Sequence, residues 1–156
     1  MAKAKKSVPE GFTAVTPMLT LDQAAKAIDW YQTALGAQVV SVNPGPDGKI
    51  MHAEIRVAGA PIMLHDAMMG SKGPLEMGGS PASLWLFVDD CDALFKRAID
   101  AGGKETMAMA DQFWGDRCGM LTDPFGYGWA IATRKEDLTP AELEQRQTQF
   151  FKTAGK

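Results

Sequence analysis

The second half of this chain repeats the first at a spacing of 67 residues, and the repeat passes through glycines at which a chain turns. The identities are Asp22/Asp89, Ala34/Ala101, Gly36/Gly103, Gly48/Gly115 and Gly59/Gly126. Three of the five pairs are glycines, whose missing Cβ admits backbone conformations that other residues resist. Flanking apolar patterns match as well, so the chain reads as one small supersecondary unit duplicated and fused without a gap. At 156 residues and 46% hydrophobic it can bury the core of one domain or of two closely packed half-domains.

Within the first copy, residues 14–21 alternate and place Val15, Leu19 and Leu21 on one face, as a strand does. Asp22 is the expected cap of a helix whose apolar positions Ala24, Ala27, Ile28, Tyr31 and Leu35 recur at three and four, and Gly36 ends it. Three strands follow: residues 38–42, then, after a turn rich in proline and glycine, residues 50–57 and 61–66 as a hairpin around Ala58-Gly59. Residues 68–81, rich in glycine and proline, read as a flexible linker. The order then returns: a strand at 83–88, a helix capped by Asp89 or Asp90 and stopped by Gly102 and Gly103, and strands at 104–110, 117–122 and 127–133. Thr139-Pro140-Ala141-Glu142 is a capping box with proline at the first helical position, which predicts a terminal helix to about Phe151. Its Leu143, Phe150 and Phe151 would dock on the body or on a second subunit.

Charge and composition exclude several functions. A net charge of −3 and a pI near 5.3 do not suit a surface that neutralises phosphates, and Lys3, Lys5 and Lys6 form the only basic cluster, in a start that reads as disordered. No stretch approaches the roughly 20 apolar residues of a membrane span, and no apolar core of a signal peptide follows the basic start. Cys91 and Cys118 lack metal-type spacing and read as free thiols of a cytoplasmic protein. The glycines sit singly at turns, with no phosphate-cradling loop and no nucleophile elbow.

The run from Leu21 to Tyr31, continuing to Leu35-Gly36-Ala37, resembles the first helix of the glyoxalase/bleomycin-resistance/extradiol-dioxygenase superfamily, the vicinal oxygen chelate proteins. Val88-Asp89-Asp90 and Asp123-Pro124-Phe125-Gly126 are similar to its other two signatures. Pro46-Asp47-Gly48, Met51-His52-Ala53-Glu54 and Gln112-Phe113-Trp114-Gly115-Asp116-Arg117 resemble its PhnB-like branch. The resemblance implies an α+β fold of two pseudo-symmetric βαβββ modules, with curved mixed sheets around a cleft, helices outside and a C-terminal helix in addition. The organisation expected is a disordered basic start at 1–11, modules at 12–67 and 82–134 joined by the linker 68–81, and a helix and tail at 135–156. It also implies a homodimer, with exchange of modules permitted by the linker.

In metal-dependent members of that family one divalent ion is held in the cleft by the first and last strands of each module. Carried over by the flanking motifs, those positions are Thr16, Met63, Ser83 and Ala130, two pairs each separated by the repeat spacing. None is a His or a Glu, so the usual metal site is expected to be absent, and with it any cofactor. Alternation then places Met18, Thr20 and His65 with Thr16 and Met63, and Trp85 and Phe87 with Ser83. On the third strand Ile50, His52, Glu54 and Arg56 face the cleft, with His52 opposite His65 and Glu54 opposite Met63. Trp114 and Arg117 are candidates to stack on a planar ligand and pair with its anionic group, whereas Cys118 is expected on the helix side. Two functions follow: binding of a small apolar or aromatic molecule in a metal-free cleft, or a lyase, isomerase or dioxygenase chemistry that uses a displaced divalent ion or an acid/base pair at His52, Glu54 and His65. In the second, His52 and Glu54 are the catalytic groups.

Overall fold

The computed structural model describes residues 4–154, so Lys3 of the basic start and the last two residues of the tail lie outside the described residues. The chain divides between Ser80 and Pro81 into two compact units. In the first, β1 (Met18–Leu21), α1 (Ala24–Leu35), β2 (Gln38–Pro44), β3 (Ile50–Val57) and β4 (Ala60–Asp66) make a four-stranded mixed sheet in the order β1-β4-β3-β2. A short helix, α2 (Pro74–Met77), stands within the stretch expected as a linker. The second unit repeats the order with β5 (Ser83–Phe87), α3 (Cys91–Asp100), β6 (Lys104–Asp111), β7 (Asp116–Thr122) and β8 (Gly128–Arg134), strands ordered β5-β8-β7-β6, and ends in α4 (Pro140–Ala154). No described helix is long and apolar enough to cross a membrane.

Each sheet buries one face under its own helix. Beneath α1 lie Leu19, Leu21, Ala53, Ile55, Val57, Ile62 and Leu64, all buried, and α1 meets them with Ala24, Ala27, Ile28, Tyr31, Ala34 and Leu35. This is the stripe that the spacing of three and four predicts. Gly36 closes α1 at φ +68, its N–H bonded to the Gln32 carbonyl and that of Ala37 to Tyr31, a left-handed cap that glycine adopts without strain.

The start of α1 differs from expectation. Asp22 is exposed and caps nothing; Asp66, buried at the end of β4, accepts from Ala24 N–H at 2.8 Å and from Ile50 N–H at 2.7 Å. In the second unit Thr133, 67 residues on, takes the same place, its hydroxyl accepting from Cys91 N–H at 3.1 Å and donating to the Val88 carbonyl at 2.7 Å. The last strand of each unit therefore holds the first turn of its helix. Asp90 adds a cap of its own to α3, accepting from Ala93 N–H at 2.9 Å. β1 is also shorter than the alternation suggests. Pairing begins where the Pro17 carbonyl accepts from Met63 N–H, and Val15, upstream of it, is exposed rather than in the core.

At the C-terminus the capping box forms: Glu142 accepts from Thr139 N–H at 2.8 Å, and Thr139 Oγ1 from Glu142 N–H at 3.3 Å. The Thr139 hydroxyl, which donates to the Glu142 carboxylate at 2.7 Å, and then the Thr139 N–H hold that carboxyl below the usual carboxylate range. Phe150 packs on Phe113 at 5.0 Å between centroids, which anchors an otherwise exposed helix to its own unit.

Candidate functional site

The face of the first sheet opposite α1 is polar. Met18 pairs with Met63 and Thr20 with His65 across β1 and β4, while Glu54 stands opposite Met63 on β3. His52, Glu54 and Arg56 alternate with the buried Ala53, Ile55 and Val57, so these side chains share one half-buried surface. Thr16 precedes the strand and donates its hydroxyl to the Thr13 carbonyl.

His65 is held at both ring nitrogens. Nδ1 lies 2.8 Å from the Asp66 carbonyl oxygen and Nε2 3.1 Å from Thr20 Oγ1. Because a carbonyl only accepts, Nδ1 carries the proton, and in the neutral ring Nε2 is left to accept from the Thr20 hydroxyl. Glu54 does not join the histidines. Its carboxylate takes Arg56 Nη2 at 2.5 Å, and Arg56 in turn donates to the Gly11 carbonyl and stacks on Phe12 at 5.3 Å. Gly11 has φ +78, and a Cβ there would come within 2.9 Å of Nη2, so this turn against Arg56 needs glycine. Among the described residues no three His, Cys, Asp or Glu side chains are grouped to hold a metal ion, and the displaced set His52, Glu54 and His65 is not assembled.

The corresponding face of the second sheet is apolar. Trp85 and Phe87, 45% and 52% exposed, have centroids 6.1 Å apart, and Trp85 meets Trp114 edge-on at 6.4 Å. Trp114 extends the row to Phe113, at 5.0 Å. Under them Cys118, Ala130 and Ala132 form a buried cluster on which Met107, Trp114 and Met120 pack. A cavity of about 220 Å³ opens beside Trp85, with Ser83, Thr106, Met120 and Ala130 among its walls.

Two expectations fail here for one reason. Cys118 lies on the open face, not the helix side; burial pushes its thiol up to about 11. Arg117 points the other way, to α3, where its guanidinium takes both oxygens of Asp92 at 2.7 Å and Asp111 at 3.2 Å. That pairing raises the Arg117 pKa and holds Asp92 below the usual carboxylate range. The cause is register. Leu64 on β4 pairs with Ala53, and Ile131, 67 residues on, pairs with Gly119, which is only 66 beyond Ala53. The third strand of the second unit is slipped by one residue, and a slip of one exchanges faces. An added residue in the turn between Asp123 and Tyr127 balances one lost after Gly115, so the flanking glycines keep their spacing. Counted correctly, Cys118 and Met120 stand where the first sheet has His52 and Glu54.

The family metal positions do not fit a divalent ion. Met63 and Ala130 offer no hard or borderline donor, Ala130 is 3% exposed between Trp85 and Met120, and the Thr16 and Ser83 hydroxyls are weak neutral ligands.

The comparisons agree with this architecture. The family model for the Glyoxalase/Bleomycin resistance protein/Dioxygenase superfamily matches residues 13–131. An uncharacterised protein of Mycobacterium bovis is 41% identical over 136 residues, covering 84% of this chain and 90% of its own. Among solved structures, TioX from Micromonospora superposes with a TM-score of 0.64 at 22% identity, covering 81% of this chain and all of that one. A PhnB protein from Bacillus cereus, described as a putative 3-demethylubiquinone-9 3-methyltransferase, gives 0.60 at 17%, covering 78% and 99%. At these identities the two structures speak to the fold alone.

Proposed function

The chain belongs to the glyoxalase/bleomycin resistance protein/dioxygenase superfamily, and from that premise we propose that it binds a small planar aromatic molecule on the open face of its second sheet, without a metal ion. The observation that carries this reading is the half-exposed Trp85–Phe87 pair beside an apolar cavity floored by Met120 and Ala130. Soluble domains usually bury such rings, and two of them left open beside a cavity with an adaptable methionine wall suit a flat guest. The donor-poor set Thr16, Met63, Ser83 and Ala130 supports the metal-free part of the reading.

The test is calorimetric titration with 2-naphthol. Trp85→Ala is expected to weaken binding about tenfold, the loss of one ring contact worth about 1.4 kcal/mol. Arg117→Ala is expected to leave affinity unchanged, because its guanidinium is on the helix side with Asp92. Equal affinity for Trp85→Ala and the parent protein would contradict the proposal.

A further inference from the structure

We propose that Thr20, His65 and His52 form an acyl-transfer site on the open face of the first sheet, acting on small esters. The three residues lie in one row across three adjacent strands. Thr20 is paired with His65 between β1 and β4, and His52 precedes Ala53, whose partner Leu64 precedes His65, so the antiparallel run of β3 and β4 carries His52 toward His65. Opposed residues in antiparallel strands have Cβ atoms about 4.5–5.5 Å apart, close enough for both imidazoles to meet one small substrate.

The geometry supplies a nucleophile, a base and a group that orients the base. Thr20 Oγ1 is 3.1 Å from His65 Nε2, and the Asp66 carbonyl, 2.8 Å from Nδ1, fixes the tautomer in which Nε2 is basic. All three residues sit on strands and are half-buried, so substrate reaches them while their rotamers stay confined. His52 has no hydrogen-bond partner among the described residues, and its imidazole N–H can meet a carbonyl oxygen. In the first step Thr20 Oγ bonds to the ester carbonyl carbon as its proton passes to His65 Nε2; the C–O bond to the leaving group breaks and the departing oxygen takes that proton. In the second, water gives a proton to Nε2, its oxygen bonds to the acyl carbon, the bond to Thr20 breaks, and Thr20 recovers the proton as the carboxylic acid leaves. The residues that take these places in the second unit, Phe87, Ala132 and Cys118, cannot form such a row, so the activity belongs to the first unit alone.

The experiment uses p-nitrophenyl acetate with the full chain, reading p-nitrophenol release and, after acid quench, the mass of the protein and its peptides. The expected result is turnover with one acetyl group on Thr20. Thr20→Val, which keeps the shape and removes the hydroxyl, is expected to lower turnover roughly 100-fold, and Thr20→Ser to retain it. His65→Gln, which removes the base beside the Thr20 hydroxyl, is expected to lower turnover at least as far as Thr20→Val. No turnover by the parent protein, equal turnover by Thr20→Val, or acetyl groups confined to other residues would each overturn the proposal.

Discussion

Replacing Asp123 by alanine is expected to destabilise the second unit by about 3–5 kcal/mol. Its carboxylate is buried, 4% exposed, and serves three donors: Phe125 N–H and Tyr127 N–H, each at 2.9 Å, and the indole Nε1–H of buried Trp129 at 3.0 Å. Each donor left without a partner in a dry site costs about 1–3 kcal/mol, and neighbouring losses do not add fully. Asp123→Asn separates the terms. One amide oxygen can still serve the two backbone groups, but the amide nitrogen cannot accept from the indole, so a loss of about 1–3 kcal/mol is expected. Urea unfolding of the two variants and the parent protein measures both, and a midpoint for Asp123→Ala within error of the parent would refute this account of the turn. The same turn carries the extra residue that slips β7, so Asp123 also holds the register on which the apolar face depends.

The second large effect is expected from Gly119. This residue lies in β7 on the helix side, paired with Ile131, and a Cβ there would meet three atoms of the Phe95 ring at 2.9–3.1 Å. Phe95 is 6% exposed and has nowhere to retreat, so Gly119→Ala is expected to cost about 1–3 kcal/mol and Gly119→Val more. No unusual backbone angle is involved, so the penalty is steric. It is therefore expected to shrink when Phe95→Leu is combined with Gly119→Ala, although Phe95→Leu alone destabilises. A double-mutant cycle on urea midpoints reads this directly; strictly additive losses would show that the ring is not the obstacle. The first unit has Ala53 at the matching place, and the core residues beneath α1 leave room for its methyl.

Much of the fold was written locally. The periodicity of α1, the glycine that ends it, the Asp90 cap and the capping box of α4 are each decided within a few residues, and each stands where the sequence puts it. The failures share a longer reach. Asp66 caps a helix that begins 42 residues earlier, and Arg117 finds Asp92 at a separation of 25; no local pattern carries either pairing. The slip in β7 was hidden because a lost and an added residue cancel between Gly115 and Gly126, leaving the repeat intact on both sides. Alternation then assigned Arg117 and Cys118 to the wrong faces with every outward sign of consistency. Glu54 was placed on the right face, but its pairing with Arg56, and the Gly11–Phe12 turn against that arginine, arise from a segment 45 residues away.

The most direct test of ring binding on the second sheet is a two-dimensional ¹H–¹⁵N spectrum of the indole groups, recorded as 2-naphthol is added. The chain has four tryptophans, hence four indole signals. Trp85 and its neighbour Trp114 lie on the open face, whereas Trp129 is buried with Asp123 and Trp30 is buried in the first unit. The account predicts that the Trp85 and Trp114 signals move together and saturate while the Trp30 and Trp129 signals stay. Saturating shifts of Trp30 or Trp129 with Trp85 unmoved, or no saturable shift at all, would contradict it.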